Sequence, residues 1–171
     1  MTCIIALRDS GKVLLAADRC TTLDSHVESI GDKLFWCGEF LVGGAGDVLM
    51  LQYIQHALQL RKMKRGERLL TYAAKELGPK VSEIWEQLKV LEEDIWGEFI
   101  FATKGECVTL TARGEVFSSV REYMAIGSGA TFALGSLRNS RGKAEDRALQ
   151  AINTAAEFLG DVAPPVIMEW T

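Results

Sequence analysis

Residues 2–18 read TCIIALRDSGKVLLAAD, and their pattern predicts the first structural unit of the chain. Two apolar runs, residues 2–7 and 13–17, flank a short polar segment that contains Gly11. A glycine in so short a connection supplies the positive φ that tight hairpins need, so we predict two antiparallel strands. Because both runs are almost continuously apolar, we expect both faces of this hairpin to be buried.

Outward from this hairpin, blocks of strands alternate with pairs of helices. Further strands are predicted at residues 33–37, 39–42, 99–103, 107–111, 124–126 and 166–170. Helical spacing of apolar residues appears at residues 47–58, 69–93, 130–137 and 149–159. We expect Asp47 to be an N-cap and Gly78-Pro79 to break the second helical stretch. This order predicts one α+β domain over residues 1–171: a four-layer αββα sandwich of two stacked antiparallel sheets flanked by helix pairs.

The composition excludes several classes of protein. The 171 residues carry a net charge of −4, whereas nucleic-acid binders normally show a basic field. No apolar run reaches the roughly 18 residues of a membrane helix, and Arg8 and Asp9 interrupt the N-terminal run too early for a signal peptide. We therefore expect a cytoplasmic protein that binds neither nucleic acid nor membrane.

Cysteine and histidine are poorly placed for metal or triad chemistry. The four cysteines contain no C-x-x-C pair, so we expect free thiols. Only two histidines, His26 and His56, are available as zinc ligands or as the histidine of a Ser-His-Asp triad. We therefore expect no metal and no cofactor.

Thr2 is a candidate nucleophile. A small second residue permits removal of Met1, and a terminal threonine then carries both a hydroxyl and an α-amine. The amine has a reference pKa of about 7.7–8.0 and can act as the base for its own hydroxyl. A Met-Thr start is common, so this feature needs support from the rest of the chain.

Asp18 and Lys33 provide that support. The hairpin places Asp18 beside Thr2, and a buried carboxylate needs a cation, for which Lys33 is the candidate. A surface ion pair is the alternative interpretation. Cys3 is a second possible terminal nucleophile, but it should point to the opposite face of the strand.

Several separated motifs then resemble the β subunits of proteasomes, most of all the bacterial HslV-type peptidases. They are TCIIAL, GKVLLAADRCTTL, GDKLF, LVGGAGD, AIGSGA and FLGD. The resemblance spans nearly the whole chain. It implies the N-terminal nucleophile hydrolase fold and a threonine-type endopeptidase subunit of a self-compartmentalised ring protease.

The resemblance also implies catalytic roles. Thr2 matches the nucleophile, and Asp18 and Lys33 match the acid and lysine beside it. Ser128 matches the serine near the threonine amine, and Asp161 matches the acid that orients this serine.

Other positions match the oxyanion hole and the substrate site. Gly43 matches the backbone N–H donor, and its lack of a side chain is expected to let the scissile carbonyl approach. Thr22 matches a position whose backbone pairs with an extended substrate. Thr21, Leu41 and Ala45 are expected to line a pocket for an apolar residue before the cleaved bond.

The chain departs from the family pattern at Pro164-Pro165, where relatives carry a Ser, Thr or Asn three residues after the acid. The partners that the resemblance implies are a peptide or unfolded protein substrate, further copies of the chain in a homo-oligomeric double ring, and an ATP-dependent unfoldase ring. Three alternatives stay open: a non-catalytic ring subunit of the same fold, an N-terminal nucleophile amidase acting on a small amide, and a nucleotide-binding oxidoreductase. GSGATF at residues 127–132 imitates a dinucleotide fingerprint but lacks its third glycine.

Overall fold

The computed structural model describes residues 2–23, 26–28, 33–90 and 94–171, with residues 21–23 and 26–28 described as backbone. The strands are β1 (Ile4–Asp9), β2 (Lys12–Asp18), β3 (Thr21–Leu23), β4 (His26–Glu28), β5 (Leu34–Cys37), β6 (Phe40–Gly46), β7 (Gly97–Thr103), β8 (Glu106–Thr111), β9 (Val116–Phe117), β10 (Tyr123–Ile126) and β11 (Val166–Trp170). The α-helices are α1 (Val48–His56), α2 (Leu69–Tyr72), α3 (Gly78–Leu88), α4 (Ala130–Asn139) and α5 (Ala144–Phe158), with a π-helical segment at Ala73–Leu77.

The strands form two main antiparallel sheets and one small pair. A four-stranded sheet has the order β10-β1-β2-β11, and a five-stranded sheet has the order β5-β6-β7-β8-β9. Strands β3 and β4 pair with each other. Every strand pairing in the described residues is antiparallel.

Three apolar clusters define four layers. One cluster lies between the sheets and includes Ile4, Leu15 and Ile100. A second joins the four-stranded sheet to α4 and α5, and a third joins the five-stranded sheet to α1, α2 and α3. The predicted αββα sandwich is therefore confirmed. No helix in the described ranges combines the length and apolar character needed to cross a membrane.

The first hairpin forms as predicted and sets the register of the site. Ser10 and Gly11 both have positive φ, 49° and 79°, as a two-residue hairpin turn requires. The resulting register pairs Ile4 with Ala17, so the end of β2 lies beside the residues that precede β1. This register brings Asp18 next to Cys3 and close to Thr2.

The predicted break at Gly78-Pro79 is wrong. The chain stays helical from α2 through the π-helical segment into α3, and the Gly78 N–H donates to the carbonyl of Ala73, five residues earlier. In a regular α-helix the Pro79 ring would press on the carbonyl four residues before it. A wider π turn relieves that crowding, so the helix is adjusted and does not end.

Gly78 also allows α3 to approach the β8–β9 turn. A Cβ at position 78 would lie 2.5 Å from the carbonyl oxygen of Gly114. We expect Gly78→Ala to lower the free energy of unfolding by about 1–3 kcal/mol, although alanine has the higher helix propensity. Urea unfolding measures this change. The matched control is Gly135→Ala in α4, where a Cβ meets nothing within 4 Å and should stabilise by about 0.5–1 kcal/mol. Equal effects of the two substitutions would contradict the close-contact argument.

Candidate active site

Asp18 is the centre of the candidate site. Its side chain is 0% exposed. Its Oδ1 accepts a hydrogen bond from the Cys3 N–H at 2.7 Å. Its Oδ2 accepts from the Cys20 N–H at 3.1 Å and from Lys33 Nζ at 2.9 Å. Such a buried carboxylate is costly without compensation, and here an ammonium group and two backbone donors supply it.

The Asp18–Lys33 ion pair is buried, which rules out the alternative of a surface pair. Lys33 is 8% exposed. Its carbonyl oxygen accepts the Gly44 N–H at 3.0 Å, so the lysine is fixed to the strand that carries Gly43. One carboxylate thereby connects the start of β1, the end of β2 and the residue just before β5.

The turn between β10 and α4, which contains Ser128, contacts the backbone of Thr2. The Thr2 nitrogen donates to Ser128 Oγ at 3.1 Å, and this hydroxyl donates to the Thr2 carbonyl oxygen at 3.3 Å. The same carbonyl accepts the Gly129 N–H at 3.1 Å. Gly127 has a φ of +83°, and a Cβ there would lie 2.4 Å from the Thr2 oxygen, so only glycine fits.

Sequence reasoning missed Glu98. This half-buried residue of β7 accepts the Gly127 N–H on Oε2 at 3.0 Å, and so anchors the turn that carries Ser128. One signal could have found it, because Glu98 is the single charged residue in the otherwise apolar run WGEFIFA at residues 96–102. A lone charge in such a strand requires a polar partner.

Gly43 lies in β6, paired with Leu34 and Ile100. A Cβ at this position would lie 2.7 Å from Cγ2 of Ile4 and 3.2 Å from Cδ2 of Leu34. The missing side chain therefore faces the core between the sheets. Close packing of β1 on β6 is therefore one reason for glycine at this position, and the expectation that it lets a scissile carbonyl approach stays a prediction. The oxyanion role of its N–H stays a prediction.

Cys3 is unsuited to be a nucleophile. It is 0% exposed and packs in the cluster beneath α4 and α5, on the face of the chain opposite to Ile4. Burial, and secondly the charge of Asp18, raise the pKa of its thiol to about 12, although Lys33 acts in the opposite direction. A thiol with this pKa is almost fully protonated at neutral pH.

Asp161 does not join the cluster. It lies in the turn after α5, and no hydrogen bond connects it to Ser128 in the part of the chain that the structure describes. Four residues after Asp161, the carbonyl of Pro165 accepts the N–H of Arg19 at 3.1 Å, and Arg19 directly follows Asp18. The orienting role of Asp161 stays a prediction.

The predicted substrate residues are only partly described. The backbones of Thr21 and Thr22 form β3, and their side chains lie outside the described structure. Leu41 and Ala45 are fully buried in the cluster between the sheets. Their role as pocket residues stays a prediction.

Comparison with known proteins agrees with this architecture. No family model matches the chain. An ATP-dependent protease subunit HslV from Lactiplantibacillus plantarum is 26% identical over an alignment of 166 residues, which covers 94% of this chain and 89% of that protein.

Solved structures show the same fold. HslV from Trypanosoma brucei superimposes with a TM-score of 0.70 at 20% identity, covering 98% of each chain. BPH from Thiobacillus denitrificans gives a TM-score of 0.78 at 19% identity, covering 99% of this chain and 97% of that one. Anbu from Pseudomonas aeruginosa gives a TM-score of 0.74 at 16% identity, covering 99% of this chain and 80% of that one. Taken together, these matches show that the chain is similar to HslV over most of its length and shares the fold of these solved structures.

Proposed function

We propose that this chain is a threonine peptidase subunit in which Thr2, freed by removal of Met1, attacks peptide carbonyls. The observation that carries the proposal is the buried Asp18 carboxylate, which holds the Lys33 ammonium and the Cys3 N–H directly after Thr2. A hydroxyl nucleophile is activated by an adjacent base, and a nearby cation lowers its pKa. Lys33 supplies the cation, and the freed α-amine supplies the base.

The proposed reaction uses these groups in order. The positive charge of Lys33 favours loss of the hydroxyl proton, and the α-amine takes that proton as the oxygen bonds to the carbonyl carbon. The Gly43 N–H stabilises the resulting oxyanion. Cleavage of the C–N bond releases the new amine, which receives the proton, and leaves an ester on Thr2. A water molecule, deprotonated by the α-amine, then hydrolyses this ester.

Ser128 supports the base in this scheme. Its hydroxyl accepts from the Thr2 nitrogen and donates to the Thr2 carbonyl, which fixes the direction of both groups. Once Met1 is removed, this nitrogen becomes the α-amine. If Ser128 keeps it in place, its lone pair is available to the neighbouring hydroxyl, and such positioning lowers the barrier by removing orientational freedom.

Assembly with other copies belongs to the proposal. The Lactiplantibacillus plantarum relative is a subunit of an ATP-dependent protease, and the Pseudomonas aeruginosa Anbu forms a helical assembly. Partly exposed Trp36, Trp96 and Phe117 and fully exposed Val120 are apolar surface that neighbouring copies could cover. We propose a homo-oligomeric ring that encloses the sites and degrades peptides or unfolded proteins delivered by an unfoldase.

A structural subunit of the same fold is the second candidate. The observation that favours it is Asp161, which makes no hydrogen bond with Ser128 in the described residues, so one implied contact of the catalytic set is missing. In that case the Asp18–Lys33 pair would serve only to anchor the strands. Turnover of fluorogenic peptides, compared with turnover of small acyl amides, separates a peptidase from a structural subunit and from an amidase.

The decisive experiment is intact mass spectrometry after incubation with epoxomicin, the inhibitor in complex with BPH in one solved structure. The hydroxyl of a terminal threonine can add to the ketone of this epoxyketone while the amine opens its epoxide. We expect chains that begin at Thr2 to gain the mass of one inhibitor. Thr2→Val, which lacks the hydroxyl and keeps the shape, is expected to gain none. Absence of the adduct on chains lacking Met1, or retention of Met1 in a native preparation, would contradict the proposal.

A further inference from the structure

The carboxylate of Glu98 lies where the two sheets meet at the candidate site. Glu98 is the partner of Ala45 in the β6–β7 pairing, two residues from Gly43. Alternation along β7 places it on the same face as Ile100 and Ala102, which belong to the cluster between the sheets. It is therefore a charged group at the edge of an apolar layer, where a carboxylate is unfavourable unless it has a hydrogen-bond partner.

The hydrogen-bond partner of Glu98 is the turn that contacts Thr2. Oε2 of Glu98 accepts the Gly127 N–H at 3.0 Å. The next two residues of that turn, Ser128 and Gly129, make the hydrogen bonds to the nitrogen and the carbonyl of Thr2. In the part of the chain that the structure describes, Glu98 is the one side chain of the five-stranded sheet that hydrogen-bonds to this turn.

Glu98 thus connects the two halves of the site. Gly43 belongs to β6 of the five-stranded sheet, whereas the turn with Ser128 follows β10 of the four-stranded sheet. A charge-assisted hydrogen bond between these layers fixes the turn relative to the β6 backbone. Gly127 itself has no side chain that could serve, because a Cβ there would lie 2.4 Å from the Thr2 oxygen.

We propose that Glu98 is a positioning residue, which holds the turn of residues 127–129 so that Ser128 meets the Thr2 nitrogen opposite the Gly43 N–H. This inference rests on the proposed peptidase function. Glu98 acts through the Gly127 N–H and touches neither the substrate nor the nucleophile. Its acceptor oxygen is what matters, so glutamine, which keeps a side-chain carbonyl of the same reach, should replace it.

The test compares Glu98→Ala with Glu98→Gln in the full-length, assembled protein, using a fluorogenic peptide. We expect Glu98→Ala to lower kcat about 10- to 100-fold, the range for losing a hydrogen bond to a charged group, with little change in KM. Glu98→Gln should keep most of the wild-type kcat. The matched control is Glu106→Ala, which removes a carboxylate that accepts the Leu69 N–H at 2.7 Å far from the site and should leave kcat unchanged.

Amide hydrogen exchange, read by mass spectrometry on the peptide that contains Gly127, Ser128 and Gly129, gives a measure that does not depend on activity. Faster exchange in Glu98→Ala, restored in Glu98→Gln, is the expected result. Unchanged exchange in Glu98→Ala overturns the positioning role, as does full kcat in this variant or an equal loss of kcat in both variants. Wild-type protein without turnover and without an epoxomicin adduct would instead refute the peptidase proposal, while the exchange measurement still tests the Glu98 contact.

Discussion

Replacing Lys33 by methionine is expected to lower the free energy of unfolding by about 3–5 kcal/mol, because the variant leaves the charge of Asp18 uncompensated in a fully buried position. Methionine has nearly the length of lysine and fills the same space, so loss of packing contributes little. Urea unfolding at fixed protomer concentration measures the change, since stability of an assembled protein depends on concentration.

A double-mutant cycle with Asp18→Asn identifies the cause. If the uncompensated charge is responsible, the Lys33→Met/Asp18→Asn double variant should recover a large part of the stability lost in Lys33→Met. The matched control is Lys104→Met, which breaks the pair between the exposed Lys104 and the partly buried Glu39 at 2.7 Å and should cost less than about 1 kcal/mol. Additive effects at positions 18 and 33 would contradict the coupling.

Peptide turnover should distinguish stability from catalysis in the same series. If Lys33 supplies the cation beside the hydroxyl, the double variant regains stability while its kcat/KM stays at least about 100-fold below wild type. Turnover that returns together with stability would limit Lys33 to a structural role.

Replacing Thr2 by valine is expected to reduce kcat/KM at least about 1,000-fold, the scale seen when a covalent nucleophile is removed. Valine matches threonine in size and branching, and it keeps the α-amine once Met1 is removed. The hydroxyl of Thr2 has no hydrogen-bond partner among the described residues, so unfolding free energy should change by less than about 0.5 kcal/mol.

Thr2→Ser is the matched control, since it restores a hydroxyl at the same place and should restore turnover and the epoxomicin adduct. Intact mass confirms that each variant begins at residue 2 before rates are compared. Thr2→Val with wild-type turnover would show that another group performs the reaction, or that no reaction occurs at this terminus.

The sequence predicted the centre of the site because local rules determine it. A two-residue turn at Ser10-Gly11 fixes the hairpin register, and that register alone places Asp18 beside Cys3. A buried acid requires a cation as its partner, and the sequence offers Lys33 for this role just before the next strand. The four layers followed from the alternation of strand blocks and helix pairs.

The remaining features depend on contacts between residues distant in sequence. Nothing near Gly78 reveals that Gly114 packs against it, and nothing near Gly43 reveals Ile4. Glu98 and Gly127 are 29 residues apart; Glu98 lies in the five-stranded sheet, and Gly127 lies in the turn that follows β10 of the four-stranded sheet. Periodicity reports which face of an element is buried, but it does not report which backbone group that face will meet.

The layer between the sheets has a consequence for how turnover can vary. Several of its residues are very small, namely Ala6 and Ala17 in the four-stranded sheet and Gly43, Ala45 and Ala102 in the five-stranded sheet, and they pack beside larger ones such as Ile4 and Leu34. Thr2 precedes β1 on one side of this layer, and Gly43 lies in β6 on the other. In the proposed reaction, the thickness of the layer would set the gap between the Thr2 hydroxyl and the Gly43 amide. Close-packed interiors respond to even one added methylene by shifting the backbone. If the proposed reaction occurs, the size of interior residues such as Ala6 and Ala17 should therefore affect its rate, although they take no part in the chemistry.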